Sequence, residues 1–132
     1  MTAPHVLSCR VHYEDTDMAG IVYHANYLKF IERARSDWVR RLGIDQNALR
    51  AAGQVFVLRR IEADFLAPAR FDDQLEVVTQ VQAATGARLV LMQEVRRDGT
   101  CLFRALATLA LATLEGRPQR MPAALRALPG AD

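Results

Sequence analysis

"VHYEDTDMAGIVYHANYLKF", residues 11–30, packs three acids, Glu14, Asp15 and Asp17, into four positions. A glycine, a Tyr-His pair and the first turn of a helical pattern follow at once. Like charge is thus gathered where a strand has to give way to a helix. Upstream, residues 5–14 alternate, with Leu7, Cys9, Val11 and Tyr13 on one face, the pattern of a half-buried strand. If the chain stays extended, Asp15 and Asp17 continue that inward face while Glu14 and Thr16 point away. Gly20 offers a turn.

From about 23 to 42 the period changes. Tyr27, Ile31, Ala34, Trp38 and Leu42 form one stripe of an α-helix, widened by Leu28, Phe30 and Val39. Such a helix is expected to be covered on more than one side. Gly43 ends it in the usual position. A short second helix is expected from Asp45 as cap to Gly53 as stop. The remainder reads as strands. Residues 55–66 are β-rich, with a change of phase near Arg59-Arg60 that suggests a bulge. Leu75, Val77, Thr79 and Val81 alternate with polar neighbours, and 87–97 repeats the pattern. Arg97-Asp98-Gly99-Thr100 carries the Asp-Gly hairpin signal. "CLFRALATLALATL", residues 101–114, is apolar on both faces, as expected of a strand with little solvent on either side. Pro118, Pro122 and Pro129 punctuate a tail with about a turn and a half of helix at 123–128. One apolar helix among antiparallel strands implies an α+β arrangement in which a sheet curls around the helix.

The 132 residues are the size of a single domain, 1–132, half apolar and a quarter charged. A net charge of +2 gives no nucleic-acid surface. MTAPHVLSCR lacks the basic start and apolar core of a secretory signal, and no apolar run reaches membrane-spanning length. A cytoplasmic protein is the expectation. Cys9 and Cys101 have no metal-ligand spacing and are expected as buried thiols.

Three chemistries compete for the acidic stretch. Calcium would need oxygen ligands at the fifth and twelfth positions counted from Asp15, but these are Ala19 and Asn26. A transition metal on Asp15, Asp17 and His24 lacks paired histidines, so no metal is expected. No G-x-S-x-G elbow is present, and neither cysteine lies near a histidine in sequence. The carboxylates remain. Clustered acids at a strand end are often only solvated or capping groups. Here like charge with partial burial favours a base, and the helix that follows presents unpaired N–H groups and a positive dipole end. A thiolate leaves without a strong acid to expel it, so one carboxylate and one oxyanion site suffice for thioester cleavage. His5 and His12 are expected at the surface, and His24 is either a cap or a polar group of the site. Glu32 with Arg35 or Ser36 reads as a helix pair. Arg59, Arg60, Arg88, Arg96 and Arg97 read as a solvated face.

"YEDTDMAGIVYHANYLKFIERAR" closely resembles the signature of the 4-hydroxybenzoyl-CoA thioesterase-like family of hotdog-fold enzymes, and within it the bacterial Tol–Pal-associated acyl-CoA thioesterases. The resemblance implies a hotdog fold: a five-stranded antiparallel sheet wrapped around one long central helix. It implies homo-oligomers, dimers joined edge to edge and often paired into tetramers, with active sites at the dimer interface. It implies an acyl-CoA substrate and no cofactor, coenzyme A being part of the substrate. By the same resemblance Asp17 is the catalytic carboxylate, as nucleophile or general base, and the His24 backbone N–H polarises the thioester carbonyl. Losing such a donor costs roughly 10²–10³ in rate. Tyr23 and His24 would line the pocket, with Tyr13, Asn26 and Tyr27 as further substrate contacts.

One feature departs from the family. Where the aromatic-substrate member carries a basic run that holds the coenzyme A phosphates, this chain reads "AATGARLV", leaving Arg88 as the single nearby cation. An acyl group on carrier-protein phosphopantetheine therefore stays open as a substrate. A hotdog hydratase or dehydratase, pairing His24 with a carboxylate, and a non-catalytic acyl-thioester binder are the rival readings.

Overall fold

A computed structural model describes residues 3–128. Strand β1 spans His5–Arg10 and helix α1 spans Asn26–Arg41, followed by α2 at Gln46–Ala51. Four strands come next: β2 (Gln54–Phe65), β3 (Gln74–Ala84), β4 (Leu89–Arg97) and β5 (Thr100–Thr113). A two-residue strand β6 (Pro118–Gln119) and the short helix α3 (Ala123–Arg126) close the chain. The sheet is antiparallel in the order β1-β3-β4-β5-β2, with β6 added to β5. Helix α1 lies against β1, β3 and β4. The α+β hotdog arrangement expected from the sequence is the one found, with β6 as a small addition to the five main strands.

Local chemistry accounts for most of the joints. Asp45 caps α2 by accepting the N–H groups of Asn47 and Ala48. Asp98 and Gly99 both adopt positive φ, the requirement of the tight turn between β4 and β5. The β2–β5 register skips Arg59, so the bulge lies where the phase change placed it.

The buried face of α1 divides the core in two. Tyr27, Phe30, Ile31 and Ala34 pack with Val77, Val95 and Phe103, while Trp38 and Val39 pack with Leu89, Leu91, Leu109 and Leu111. Gln93 is a fully buried polar side chain among these apolar neighbours, and it is fully used. Its Nε2 donates to the Ile31 carbonyl and to Thr79 Oγ1, both at 2.9 Å, and its Oε1 accepts from Arg35 at 3.0 Å. Helix and sheet are thereby held in one register, because a buried amide left unbonded costs more than the bonds it makes. Cys9 and Cys101 are free and half-buried, and burial pushes both thiols up. No described helix is long and apolar enough to cross a membrane.

Three expectations need correction. Strand β1 stops at Arg10, and residues 13–15 form a single 3-10 turn instead of continuing the extended face. Consequently Asp15 is buried while Asp17 is exposed, and Tyr13 is 82% exposed instead of facing inward. His5 is buried, not on the surface: its ring lies 2.7 Å from Asp37 Oδ2 on α1, and its Nδ1 has no partner among the described residues. The helical period of α1 places Asp37 toward the first strand, and only the tertiary fold reveals that its partner is His5. Pro129 lies outside the described residues.

Hydrogen bonds from His5 and then Arg41 hold the Asp37 carboxyl below its ordinary value. A lowered carboxyl stabilises the fold above the unfolded-state value of about 4, and the contribution is lost as pH falls through the folded one. Asp37→Asn is therefore expected to lower the urea midpoint at pH 7, with the gap to wild type narrowing as the pH is taken below about 4. A gap independent of pH would exclude this linkage.

Candidate active site

The site is built by the turn that replaces the end of the first strand. After β1, Val11 stays pinned to the loop before β3: its N–H reaches the Asp73 carbonyl at 2.9 Å, and its carbonyl accepts from Asp72 at 3.0 Å. The chain then reverses through the 3-10 turn and Asp15 enters the interior. One Asp15 oxygen accepts the His12 N–H at 2.8 Å, and the other accepts the Asn26 amide at 2.7 Å. The Asp15 carbonyl takes the Tyr23 N–H at 2.9 Å. A single buried residue thus clamps the turn, the segment after it and the first residue of α1. Asn26 is buried by the same bond, which makes it a structural partner of Asp15 in this chain.

Asp17 opens a second turn. Its Oδ1 accepts the Ala19 N–H at 2.9 Å, its carbonyl accepts the Gly20 N–H, and its own N–H reaches Ile21. Gly20 has φ +76, a left-handed conformation that glycine adopts without strain. The turn leaves Asp17 exposed, and Ile21, whose carbonyl accepts the Asp17 N–H, helps to line a cleft.

That cleft has a volume of about 340 Å³ and is lined by Val22, His24, Tyr27, Phe65, Leu66 and Pro68, among others. It opens at the N-terminus of α1, which has no side-chain cap and no acid in its first turn. Among the described residues the His24 backbone N–H has no acceptor. The positive end of a 16-residue helix and a backbone donor without a partner among the described residues thus lie beside an apolar hollow.

Tyr27 is buried; its hydroxyl accepts the Ala69 N–H at 3.1 Å, and its ring stacks on Phe103 at 4.8 Å. Burial pushes its phenol up. Tyr23 lies against the His24 ring, with centroids 4.4 Å apart. Tyr13 stands away from the cleft, edge-on to Phe71. Arg88 lies at the far end of the sheet, where its N–H bonds to Thr85 Oγ1. Of the residues singled out in the sequence, the fold brings His24 and Tyr27 into the cleft lining and Tyr23 against the His24 ring, while Asp17, Tyr13 and Arg88 do not line it. Among the described residues no group of three metal-ligating side chains forms. Phe65 is the wall that sequence reading missed. It is 55% exposed and its ring lies 5.7 Å from Tyr27 and 6.4 Å from His24. The only trace in the sequence is an apolar strand end running on into "FLAP".

The site is thus a strand-to-helix turn with one buried acid, two exposed acids and an open helix end beside an apolar cleft. The family model described as the thioesterase-like superfamily matches residues 11–128, and the chain belongs to that superfamily. Acyl-CoA thioester hydrolase YbgC of Escherichia coli is 40% identical over 115 residues, covering 86% of each chain. Acyl-CoA thioesterase YbgC of Haemophilus influenzae is 38% identical over 120 residues, covering 89% of this chain and 88% of the relative. The crystal structure of a probable thioesterase from Bartonella henselae superposes with a TM-score of 0.86 at 38% identity, over 91% of this chain and 100% of that one.

The two acids should separate experimentally. Asp15→Asn keeps an oxygen for one of the two donors but turns an amide NH2 against the other, and is expected to cost about 2 kcal/mol or more in chemical denaturation. Asp17→Asn keeps an oxygen for the Ala19 N–H and should leave the midpoint within about 0.5 kcal/mol of wild type. Equal losses would show that the buried clamp is not the structural member of the pair.

Proposed function

We propose that this chain hydrolyses acyl-CoA thioesters to the free acid and coenzyme A, and that the whole chain acts as one thioesterase domain. The observation that carries the reading is the uncapped start of α1, with the free His24 N–H beside an apolar cleft and the exposed Asp17 turn bonded to Ile21 of the same lining. Catalysis requires donors aimed at the charge that develops in the transition state. A thioester carbonyl at the helix end places its oxygen toward that N–H. As the carbonyl carbon becomes tetrahedral, negative charge grows on that oxygen, where the helix end favours it. Asp17 acts from the side, either attacking the carbon itself or taking the proton of a water that attacks it. The intermediate then collapses, the carbon–sulfur bond breaks, and the thiolate departs without a dedicated acid. Tyr23 and Phe65 supply apolar walls for the acyl group. The relatives in Escherichia coli and Haemophilus influenzae are an acyl-CoA thioester hydrolase and an acyl-CoA thioesterase.

The site is completed by a second copy. Strand β2 is at the edge of the sheet, bonded to β5 alone, and it exposes Val57, Leu58 and Phe65. A long apolar edge is a hazard unless it is paired. Antiparallel self-pairing of β2 covers it and encloses the exposed Asp17 rim, a dimer of the edge-to-edge kind.

With a panel of acyl-CoAs and a thiol-reactive dye, the wild type is expected to release thiol. Asp17→Asn should lower kcat by roughly 10²–10⁴ with its folding midpoint retained. A single turnover in ¹⁸O-water separates the two roles, since direct attack deposits label in the Asp17 carboxylate. Unchanged kcat in the variant removes Asp17 from the chemistry. Loss of enoyl-CoA absorbance without thiol release would move the protein to the hydratases, with the His24 ring as the acid–base group.

A further inference from the structure

A second hollow lies on the helix face of the sheet, between α1 and the edge strand β2. It has a volume of about 210 Å³, and its apolar walls are Val39, Phe56, Leu58, Leu89, Leu91 and Leu109. One cation is drawn in among them. Arg35 is half-buried, and one of its terminal nitrogens donates to the Oε1 of the buried Gln93 at 3.0 Å. That is the only hydrogen bond its side chain makes among the described residues, and no described carboxylate lies within ion-pairing distance of it. The lining holds one acid, Glu32, whose Oε2 accepts the Ser36 hydroxyl at 2.6 Å. Burial pulls the Arg35 guanidinium below its ordinary value, and the charge of Glu32 offsets that only in part. Gln93 does not account for the charge, because a neutral donor would serve its Oε1 as well. Taking a guanidinium out of water with no anion on it is costly. The fold alone gives this charge no partner.

We infer that this hollow binds a carboxylate carried on a short apolar stem, with the carboxylate on the Arg35 guanidinium and the stem among the leucines. The planar fork of a guanidinium matches the two oxygens of a carboxylate, and such a pair is stronger than a hydrogen bond between neutral groups. The volume is below the roughly 300–1,000 Å³ of sites for drug-sized ligands, which suits a short chain. Two sources carry this chemistry: the far end of a dicarboxylic acyl group in the substrate, and a free short-chain acid. The first is reached across the β2 seam. Phe56, Leu58 and Phe65 all face the helix side of the strand; the first two line this hollow, and Phe65 lines the catalytic cleft. Self-pairing of β2 about its midpoint sets Phe65 of the second copy beside Gln54 and Val55, next to Phe56. The catalytic cleft of one copy then opens toward the hollow of the other, and an acyl chain that crosses the seam meets Arg35 at its far end. This source rests on the thioesterase reading and deepens it; binding of a free acid does not depend on that reading.

The test uses the full chain. Calorimetry measures binding of hexanoate and of hexanamide, which differ only in the charged end. Kinetics compare adipoyl-CoA with hexanoyl-CoA, which differ only at the far end of the acyl group. The wild type is expected to hold hexanoate roughly tenfold or more tighter than hexanamide. Arg35→Gln keeps an N–H for Gln93 and removes the charge, so the two ligands should bind it alike. A purely structural Arg35 would instead lower the folding midpoint and leave the ratio of the two affinities unchanged. A KM for adipoyl-CoA lower than that for hexanoyl-CoA by a similar factor, with the advantage lost in Arg35→Gln, assigns the carboxylate to the substrate. Equal KM values with hexanoate bound assign it to a free acid. Hexanoate held by the wild type no more tightly than hexanamide overturns the inference, and so does a preference that survives in Arg35→Gln. The wild-type comparison decides even where the variant fails to fold. A wild type that turns over neither thioester defeats the thioesterase reading, and the calorimetry then still decides the hollow.

Discussion

The site depends first on one buried carboxylate. Asp15 receives the His12 N–H and the Asn26 amide, and so binds the end of the first strand to the start of the long helix. Burying a charge is costly unless hydrogen bonds replace its water, and here both oxygens are supplied. With that clamp closed, the Asp17 turn and the free His24 N–H are fixed relative to each other, although neither bonds to the other. The helix end then keeps its donor for a ligand instead of spending it on a cap. An N-cap side chain would stabilise α1, and its absence is consistent with a functional demand on the same group.

Division of labour between the acids answers why like charge is crowded at this turn. Asp15 organises, Asp17 is presented, and Glu14 is exposed. The second strand is divided in a similar way. Its inward residues Phe56 and Leu58 face the helix side, while Val57 and the bulged Arg59 lie on the outer face of the sheet. A strand that served only to pack would not need the exposed apolar edge.

Features set by short-range periodicity were legible from the residues alone. The stripe from Tyr27 to Trp38, the Asp45 cap, the Asp98-Gly99 turn and the phase slip at Arg59 are each encoded within a few positions. The family signature pointed to the proposed site because Asp17, Gly20 and His24 are close in sequence. What escaped depends on partners far along the chain. Alternation could not show that the strand breaks into a 3-10 turn, burying Asp15 and exposing Asp17. It could not show that His5 meets Asp37 across 32 positions. Phe65 joins the cleft only because β2 ends beside α1, and Arg35 reaches Gln93 only because α1 lies against β4. Adjacency of elements, not their type, is the information that a single sequence withholds.

The strand order has its own consequence for assembly. β3, β4 and β5 form an uninterrupted meander of neighbours, whereas β1 must find β3 and β2 must find β5 across long intervening stretches. Non-local pairings close late, because the loop entropy comes before the contact that rewards it. The meander is synthesised after α1, yet it is the part of the sheet whose pairings are local. During translation α1 therefore emerges with its apolar stripe uncovered, and the acidic turn acquires its shape only when the outer strands dock. The most demanding piece of geometry in the molecule is among the last to become native, so a slow-folding variant would lose its chemistry before it lost its secondary structure.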